Sequence, residues 1–222
     1  MKEPETLSWI DEFGGVGSLF DIGANVGLYS LYYAGTKPGN VYAYEPSVFN
    51  LQILVKNVSI NNLQSRVSII PLPLTEENKI SNFRLTTTDA GEAYSSFGVD
   101  FGWDGKPFVS NIDYQLLGLS LDYLLKAKLI DEYPTMIKLD VDGIEHLILK
   151  GAQEVLRHPN CKTVLVEISK PFKYQQSEIE KILINCGFIL DTERNSQILS
   201  RPANPKTINQ KTINQIWVKQ EA

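Results

Sequence analysis

Short apolar runs alternate with longer segments of helical periodicity along most of this chain. The runs are rich in Val, Ile, Leu, Phe and Tyr, and they are predicted to be strands at 18–22, 41–45, 67–70, 136–140 and 163–168. Clusters of glycine, proline or asparagine mark the ends of the helical segments between them. Because this alternation is typical of βαβ units, it predicts an α/β fold, a mostly parallel sheet with helices on both faces.

The length of 222 residues suits one domain, and no shift in composition marks a boundary within residues 1–222. Residues 1–17 are interpreted as an N-terminal extension before the first strand. Two further strands, at 188–191 and 215–219, are predicted to pair as an antiparallel β-hairpin at the sheet edge, within the C-terminal segment 188–222.

Charge and hydropathy argue against several classes of partner. The net charge is −5, and no run of Lys and Arg marks a basic groove, so nucleic acid is not expected as a partner. No apolar run reaches the roughly 20 residues of a membrane span, and the N-terminus lacks the apolar core of a signal peptide. We therefore expect no membrane partner and a cytoplasmic location.

The segment Asp21-Ile-Gly-Ala-Asn-Val-Gly27 joins the first predicted strand to the first helix. Gly23 can adopt backbone conformations that other residues avoid, and Gly27 allows the helix to pack tightly on the sheet. Glu45, followed by Pro46, ends the second strand about 20 residues later, where nucleotide-binding α/β folds place an acid on the ribose hydroxyls. Together these features predict a site for an adenosine-containing ligand.

Both NAD and S-adenosylmethionine contain adenosine, and the turn helps to separate them. A dinucleotide-binding turn usually reads G-x-G-x-x-G, but Asn25 stands where the middle glycine is expected. The Tyr-x-x-x-Lys pair of one dehydrogenase class occurs only as Tyr33 and Lys37, in the first crossover beside Pro38. The turn therefore favours S-adenosylmethionine and leaves an NAD(P)-dependent oxidoreductase as the alternative.

The same turn resembles motif I of class I S-adenosylmethionine-dependent methyltransferases. Ile137-Lys-Leu-Asp-Val-Asp-Gly-Ile-Glu145, followed by Leu149-Lys-Gly-Ala152, resembles the fourth-strand signature of the FkbM-type methyltransferases and is the most specific match. The resemblance runs from about Ser18 to Ile168. It implies a Rossmann-like, seven-stranded sheet with an antiparallel C-terminal strand, and O-methylation of a hydroxyl on a small molecule or sugar.

The resemblance also implies roles for single residues. Gly23, Asn25 and Gly27 would line the methionine end of S-adenosylmethionine, and Glu45 would hold its ribose. The expected cofactor-binding residues are Asp21, Gly23, Asn25, Gly27, Glu45, Pro46 and Asp140. Asp142 departs from the family, which more often has Glu at this position, so the charge is kept while the side chain reaches less far.

Methyl transfer to a hydroxyl benefits from a base that removes the acceptor proton. The candidate catalytic residues are Asp140, at the carboxyl end of the fourth strand, and Glu145 and His146, about one helical turn further on. Asp140 and Asp142 could instead hold a divalent metal, but two carboxylates are a small ligand set, so no metal site is predicted. Asp142 could also cap the following helix.

Lys138 is unusual because it lies inside an apolar strand, where an ammonium group needs a partner. We expect it to pair with an acid near the site, and Glu167 at the end of the fifth strand is the candidate.

Residues 86–111 carry aromatic side chains among glycines, after a predicted additional edge strand at about 80–85. A long loop of this kind is usually functional, which makes it the candidate acceptor-binding loop; an ordinary hydrophobic edge is the other interpretation. A catalytically silent adenosine-binding protein on the same fold stays open as a further alternative. The expected assembly is a monomer or homodimer.

Overall fold

The computed structural model describes residues 3–92, 94–200 and 211–220. Its strands are β1 (Leu19–Ile22), β2 (Val41–Tyr44), β3 (Val67–Ile70), β4 (Lys79–Leu85), β5 (Ser95–Phe97), β6 (Ile112–Gly118), β7 (Met136–Leu139), β8 (Thr163–Ser169), β9 (Phe188–Leu190) and β10 (Thr212–Lys219). Its helices are α1 (Pro4–Phe13), α2 (Leu28–Thr36), α3 (Val48–Ile60), α4 (Leu121–Lys126), α5 (Glu145–Lys150), α6 (Gln153–Arg157), α7 (Lys173–Asn185) and α8 (Thr192–Ser200).

Seven strands form one sheet in the order β3-β2-β1-β7-β8-β10-β9. β1 pairs in parallel with β2 and β7, β7 pairs in parallel with β8, and β10 is antiparallel to both of its neighbours. This confirms the predicted Rossmann-like, mostly parallel sheet with an antiparallel C-terminal strand. The strand order reverses between β1 and β7, so their carboxyl ends flank the crevice in which open α/β sheets bind ligands.

The last strand is longer and lies deeper in the sheet than the sequence predicts. β10 begins at Thr212 and lies between β8 and β9, so β9 rather than β10 is the edge strand. The predicted antiparallel pairing of the two strands is present. Asn214 is polar but buried, opposite Glu167 of β8, and the polarity of Thr212 and Asn214 hid the start of the strand from the sequence pattern.

A second, three-stranded antiparallel sheet has the order β5-β4-β6. β4 lies where the additional edge strand was predicted, but it pairs with β5 and β6 and not with the main sheet. β5 falls inside the predicted loop 86–111, so that prediction is wrong for part of the segment. Phe83, Leu85 and Phe97 are buried whereas Ile80 is exposed, so this small sheet buries only one face. The sequence periodicity is correspondingly weak.

Each face of the main sheet carries its own buried cluster, one with Phe20, Tyr44 and Leu139 and the other with Leu19, Val41 and Met136. The second cluster includes α1, whose Trp9 and Ile10 are buried. The indole nitrogen of Trp9 donates a hydrogen bond to the Thr163 hydroxyl at 2.9 Å. The first helix is therefore part of the core, although the sequence suggests only an extension.

Candidate active site

A cavity of about 570 Å³ lies at the carboxyl edge of the main sheet, at the ends of β1, β2, β7 and β8. Residues 91–92 and 94–97, here called the lid segment, form part of its wall together with Trp103. The predicted cofactor residues that line this cavity are Gly23, Asn25, Glu45, Pro46 and Asp140. One cavity thus brings together the turn after β1, the acid after β2 and the acid after β7.

The turn after β1 is fastened to the strands on both sides of it. The backbone amides of Gly23 and Ala24 both donate to the carbonyl of Tyr44, each at 3.0 Å. Gly23 has a φ of +83°, and a Cβ atom there would lie 1.8 Å from the carbonyl oxygen of Asp140. Only glycine fits such a backbone and such a contact. The turn therefore lies close to the ends of both β2 and β7, so residues that follow these two strands can contact the same ligand.

Glu45 is held by the turn and by the start of the next helix. Its Oε2 accepts from the backbone amide of Asn25 at 2.8 Å, and its Oε1 accepts from the amide of Ser47 at 2.8 Å and from Asn50 Nδ2 at 3.4 Å. The side chain is buried, and burial raises the pKa of the carboxyl group to about 7 even though these donors lower it. Glu45 therefore changes charge close to neutral pH.

Asp21 and Gly27 do not line the cavity, although both were predicted among the cofactor residues. Asp21 is fully buried inside β1, where its Oδ2 accepts from the Ser30 hydroxyl at 2.6 Å. Gly27 begins α2, and a Cβ there would lie 2.4 Å from Leu54 Cδ1. Both residues lie behind the turn, and their predicted contact with the cofactor stays a prediction without a position in the cavity wall.

Lys138 is paired, but with other acids than the sequence suggested. Its Nζ lies 3.0 Å from Asp140 Oδ2 and 4.0 Å from Asp21 Oδ1, so the predicted pairing with Glu167 is wrong. The reason is register, since Asp21 stands opposite Lys138 in the β1–β7 pair. Burial by itself would lower the pKa of Lys138, but the carboxylates of Asp140 and Asp21 outweigh it and raise the pKa. The ammonium group stays charged and holds Asp140 in place.

Glu167 also lines the cavity, next to Asp140. Leu139 and Val166 are partners in the parallel β7–β8 pair, so Asp140 and Glu167 follow at the same level on neighbouring strands. Burial raises the pKa of Glu167 well above its ordinary range, and the charges of Asp140 and Glu145 raise it further. Glu167 was predicted only as a partner for Lys138, and no sequence motif marks it as a residue of the site.

Glu145 and His146 lie outside the cavity wall. Glu145 is buried and its carboxylate accepts from the amides of Val141 and Gly143 at 3.1–3.2 Å, and also from the side chain of Gln175. These hydrogen bonds hold the loop between β7 and α5 in place, and this loop carries Asp142. Burial raises the pKa of Glu145 to about 7.

His146 is buried in an aromatic cluster on the other side of α5. Its ring lies 5.8 Å from that of Phe172 and 5.6 Å from that of Tyr174, measured between ring centroids. Burial lowers its pKa to about 4, so the imidazole is neutral at physiological pH. His146 does not line the cavity, and the catalytic role predicted for it stays a prediction.

Asp142 connects the end of β7 to the lid segment. Its Oδ2 accepts from the backbone amides of Tyr94 at 2.8 Å and Ser95 at 3.1 Å. It does not cap α5, whose N-cap residue is Ile144. Gly91 is tied down as well, because Asn50 Oδ1 accepts from its amide at 2.8 Å and Asn25 Nδ2 donates to its carbonyl at 3.2 Å. The lid segment is thus anchored by residues of the cofactor-side wall.

We expect Asp142→Ala to loosen the lid segment. Two amide hydrogen bonds to a carboxylate are lost, so amide hydrogen exchange at Tyr94 and Ser95 should accelerate by about 10- to 100-fold. Asp89→Ala, an exposed acid of the same connection, should leave both rates unchanged. Unchanged exchange in Asp142→Ala would show that the lid segment is held by other contacts.

Two further residues of the cavity wall come from distant parts of the chain. Glu3 precedes α1, and its carboxylate accepts from the Tyr29 hydroxyl at 2.7 Å. Lys211 precedes β10, and its Nζ lies 5.4 Å from the centroid of the Trp103 ring. No sequence motif marks Glu3 or Lys211, because only the folded chain brings them to this edge. Within the described ranges, no group of three or more His, Cys, Asp or Glu side chains could hold a metal ion.

The strand order and the cavity at its carboxyl edge are those of a Rossmann-like methyltransferase. Residues 21–190 match the family described as the Methyltransferase FkbM domain, and the chain belongs to this family. It is 27% identical over 198 residues to the methyltransferase sdnD of Sordaria araneosa, a match that covers 79% of this chain and 75% of the relative.

Solved structures agree on the fold. The crystal structure of a methyltransferase FkbM from Methylobacillus flagellatus superposes with a TM-score of 0.55 at 18% identity, covering 91% of this chain and 43% of that one. The chain therefore spans less than half the length of that structure. An rRNA methylase from Streptococcus thermophilus gives a TM-score of 0.56 at 12% identity, with 97% of this chain and 95% of that one covered. In the described part of the chain, no helix has the length and apolar character needed to cross a membrane.

Proposed function

We propose that this methyltransferase transfers the methyl group of S-adenosylmethionine to a hydroxyl of a small-molecule or sugar acceptor. The observation that carries the proposal is the shared cavity, in which Asn25 and Glu45 are joined by a 2.8 Å hydrogen bond and face Asp140. S-adenosylmethionine supplies a methyl group on a positively charged sulfur, which is already activated for displacement. The protein's task is then to align the acceptor, exclude water and handle one proton.

The polar groups of the cavity fit an adenosyl ligand. Among the described residues, the buried Oδ1 of Asn25 and the buried hydroxyl of Tyr44 have no hydrogen-bond partner, and both residues line the cavity. Buried polar atoms are rarely left unpaired, so these two support a ligand with its own donors and acceptors. Leu74 and Phe97 provide an apolar wall on the same side, suited to a purine.

Asp140 is the residue best suited to take the acceptor proton. Its Oδ2 is held by Lys138, and its side chain keeps 27% exposure at the cavity. An ion pair on one oxygen fixes the carboxylate while the other can accept a hydrogen bond from a hydroxyl group. We therefore assign Asp140 the role of base and expect Glu145 and His146 to act only by supporting the loop around it.

The acidic residues of the cavity wall favour a neutral small molecule as the acceptor over a polyanion. Glu3, Glu92 and Asp140 line the cavity, and these acids would repel the phosphates of a nucleic acid. Trp103 also faces this space and offers the kind of flat surface on which sugars stack. These features favour a polyol or sugar acceptor.

Calorimetry can test this function before the acceptor is known. We expect saturable binding of S-adenosylmethionine and S-adenosylhomocysteine, and weaker or no binding of NADPH. Tighter binding of NADPH would favour the oxidoreductase alternative. Once an acceptor is found by screening for released S-adenosylhomocysteine, Asp140→Asn should lower the rate at least about a hundredfold. Unchanged turnover in that variant would remove Asp140 from the mechanism.

Binding of S-adenosylhomocysteine should strengthen as the pH rises through neutrality. The pKa of Glu45 is raised by burial to about 7, so below that pH the carboxyl group is protonated and accepts ribose hydroxyls poorly. Between about pH 6 and 8 the association constant should increase by about tenfold. Glu45→Gln should flatten this dependence and weaken binding by about 10- to 100-fold at the higher pH. Glu193→Gln, on the exposed side of α8, should behave like wild type.

A further inference from the structure

We propose that Glu167 is the proton-holding residue of the reaction: it receives the acceptor proton through Asp140 and releases it to solvent when the next molecule of methyl donor binds. The inference rests on the proposed function and adds a residue that no sequence motif singled out. It also explains why a second carboxyl group stands beside the base.

The geometry comes from the register of two neighbouring parallel strands. Leu139 pairs with Val166, which places Asp140 and Glu167 side by side at the carboxyl edge, on strands about 4.8 Å apart. Strand alternation turns both side chains to the sheet face on which Lys138 and Leu165 lie. Both residues line the cavity. The two carboxyl groups therefore open onto the same cavity from neighbouring strands, and a proton can pass between them through water.

The surroundings of the pair favour one proton and one negative charge. Lys138 contacts Asp140 at 3.0 Å, so the charge belongs on Asp140. Among the acids near Glu167, the charges of Asp140, Glu145 and Asp142 raise its pKa, and a hydrogen bond with the side chain of Thr212 lowers it.

Lys211 is a cation of the same cavity wall, and its Nζ lies over the ring of Trp103. Burial and the three neighbouring acids raise the pKa of Glu167, so the proton of the pair belongs there.

The reaction is balanced with this pair as the proton acceptor. The acceptor's O–H bond breaks and its oxygen forms a bond to the methyl carbon, while the S–CH₃ bond breaks and leaves its electron pair on sulfur. The proton moves to Asp140 and then to Glu167, which must be ionised before the step. The cavity loses the positive charge of the sulfonium and one carboxylate charge together, so its net charge is the same before and after.

The proposal makes proton release depend on the charge of the ligand. A unit positive charge brought within about 6 Å of a carboxyl group lowers its pKa by about two at an effective dielectric constant of about 20. A cationic methyl donor should therefore drive the proton off Glu167, whereas the neutral product should leave it in place. The pKa of Glu45 is raised to about 7, so at about pH 8 this group is already mostly ionised before either ligand binds and contributes little to the difference.

The test is calorimetric titration of the whole protein with S-adenosylmethionine and with S-adenosylhomocysteine at about pH 8, each in phosphate and in Tris buffer. The buffers differ in ionisation enthalpy, so the heats report how many protons are released. We expect S-adenosylmethionine to release about half to one proton more than S-adenosylhomocysteine. Glu167→Gln should bind both ligands and abolish this difference, whereas Glu154→Gln, an exposed acid of α6, should retain it.

The outcomes separate the two proposals. If neither ligand binds to folded protein, the proposed function fails. If both bind and release equal numbers of protons, the function stands and the role of Glu167 is overturned. A difference that persists in Glu167→Gln also overturns that role and moves the proton to another group. The comparison of the two ligands on the wild-type protein needs no variant. Equal proton release would therefore overturn the role of Glu167 even if Glu167→Gln does not fold.

Discussion

Lys138→Met is expected to lower the free energy of unfolding by about 3–5 kcal/mol, because it leaves buried carboxylates without their cation. The side chain of Lys138 is only 1% exposed, and its ammonium group faces Asp140 and Asp21. Methionine has a similar length and no charge, so it fills most of the space of the lysine side chain. The loss of stability therefore measures the missing ion pair and not a cavity. Urea unfolding, followed by circular dichroism at about pH 8, measures it.

The loss in Lys138→Met should become smaller as the pH falls toward about 5. Burial already raises the pKa of Asp21, and removing the lysine raises it further. Protonation at lower pH can therefore neutralise the Asp21 carboxylate that has lost its cation. Lys56→Met, at an exposed position of α3, should change stability by less than about 0.5 kcal/mol. A loss below about 1 kcal/mol in Lys138→Met would show that the acids are satisfied without the lysine.

Gly23→Ala is expected to remove detectable binding of S-adenosylhomocysteine and to destabilise the protein by about 2–4 kcal/mol. The added Cβ would meet the Asp140 carbonyl at 1.8 Å, on a backbone with a φ of +83°. The contact is with backbone, so it is relieved only by moving the turn away from β7. Calorimetry with S-adenosylhomocysteine measures the binding, and urea unfolding measures the stability.

Gly35→Ala is the matched control for Gly23→Ala. Gly35 lies in α2, and a Cβ there would meet nothing within 4 Å. Alanine favours a helix over glycine, so the control should keep wild-type binding and gain about 0.5 kcal/mol. If Gly23→Ala bound S-adenosylhomocysteine as tightly as this control, the turn after β1 would not be part of the cofactor site.

The sequence contained enough information to predict the main sheet. The strands that form its centre are short apolar runs, and β1 and β7 are buried along their whole length. A run that is buried on both faces is mostly apolar, with Asp21 and Lys138 as the charged exceptions in these two strands, so it is visible without any tertiary information. The small second sheet buries only one face, and β5 within it has three residues. The pattern of β5 was too short and too polar to predict, whereas β4 was predicted from its apolar residues.

The candidate site was predicted where local backbone chemistry carries the signal. The turn that requires glycine predicted Gly23 and Asn25, and the acid at a strand end predicted Glu45. All three residues line the cavity. Glu145 and His146 were predicted from their position just after Asp140. Helix α5 turns both away from the cavity, and a sequence position within a helix does not show which way its side chain faces until its packing is known.

The pattern of apolar runs, the glycine turn and the acids at the strand ends determined the fold and the part of the cavity wall that holds Gly23, Asn25 and Glu45, because each is a property of neighbouring residues. Only the tertiary structure decided that Lys138 pairs with Asp140 and Asp21, and that Glu167 stands beside Asp140. Those relations follow from strand register, which sets which distant residues share one level of the sheet.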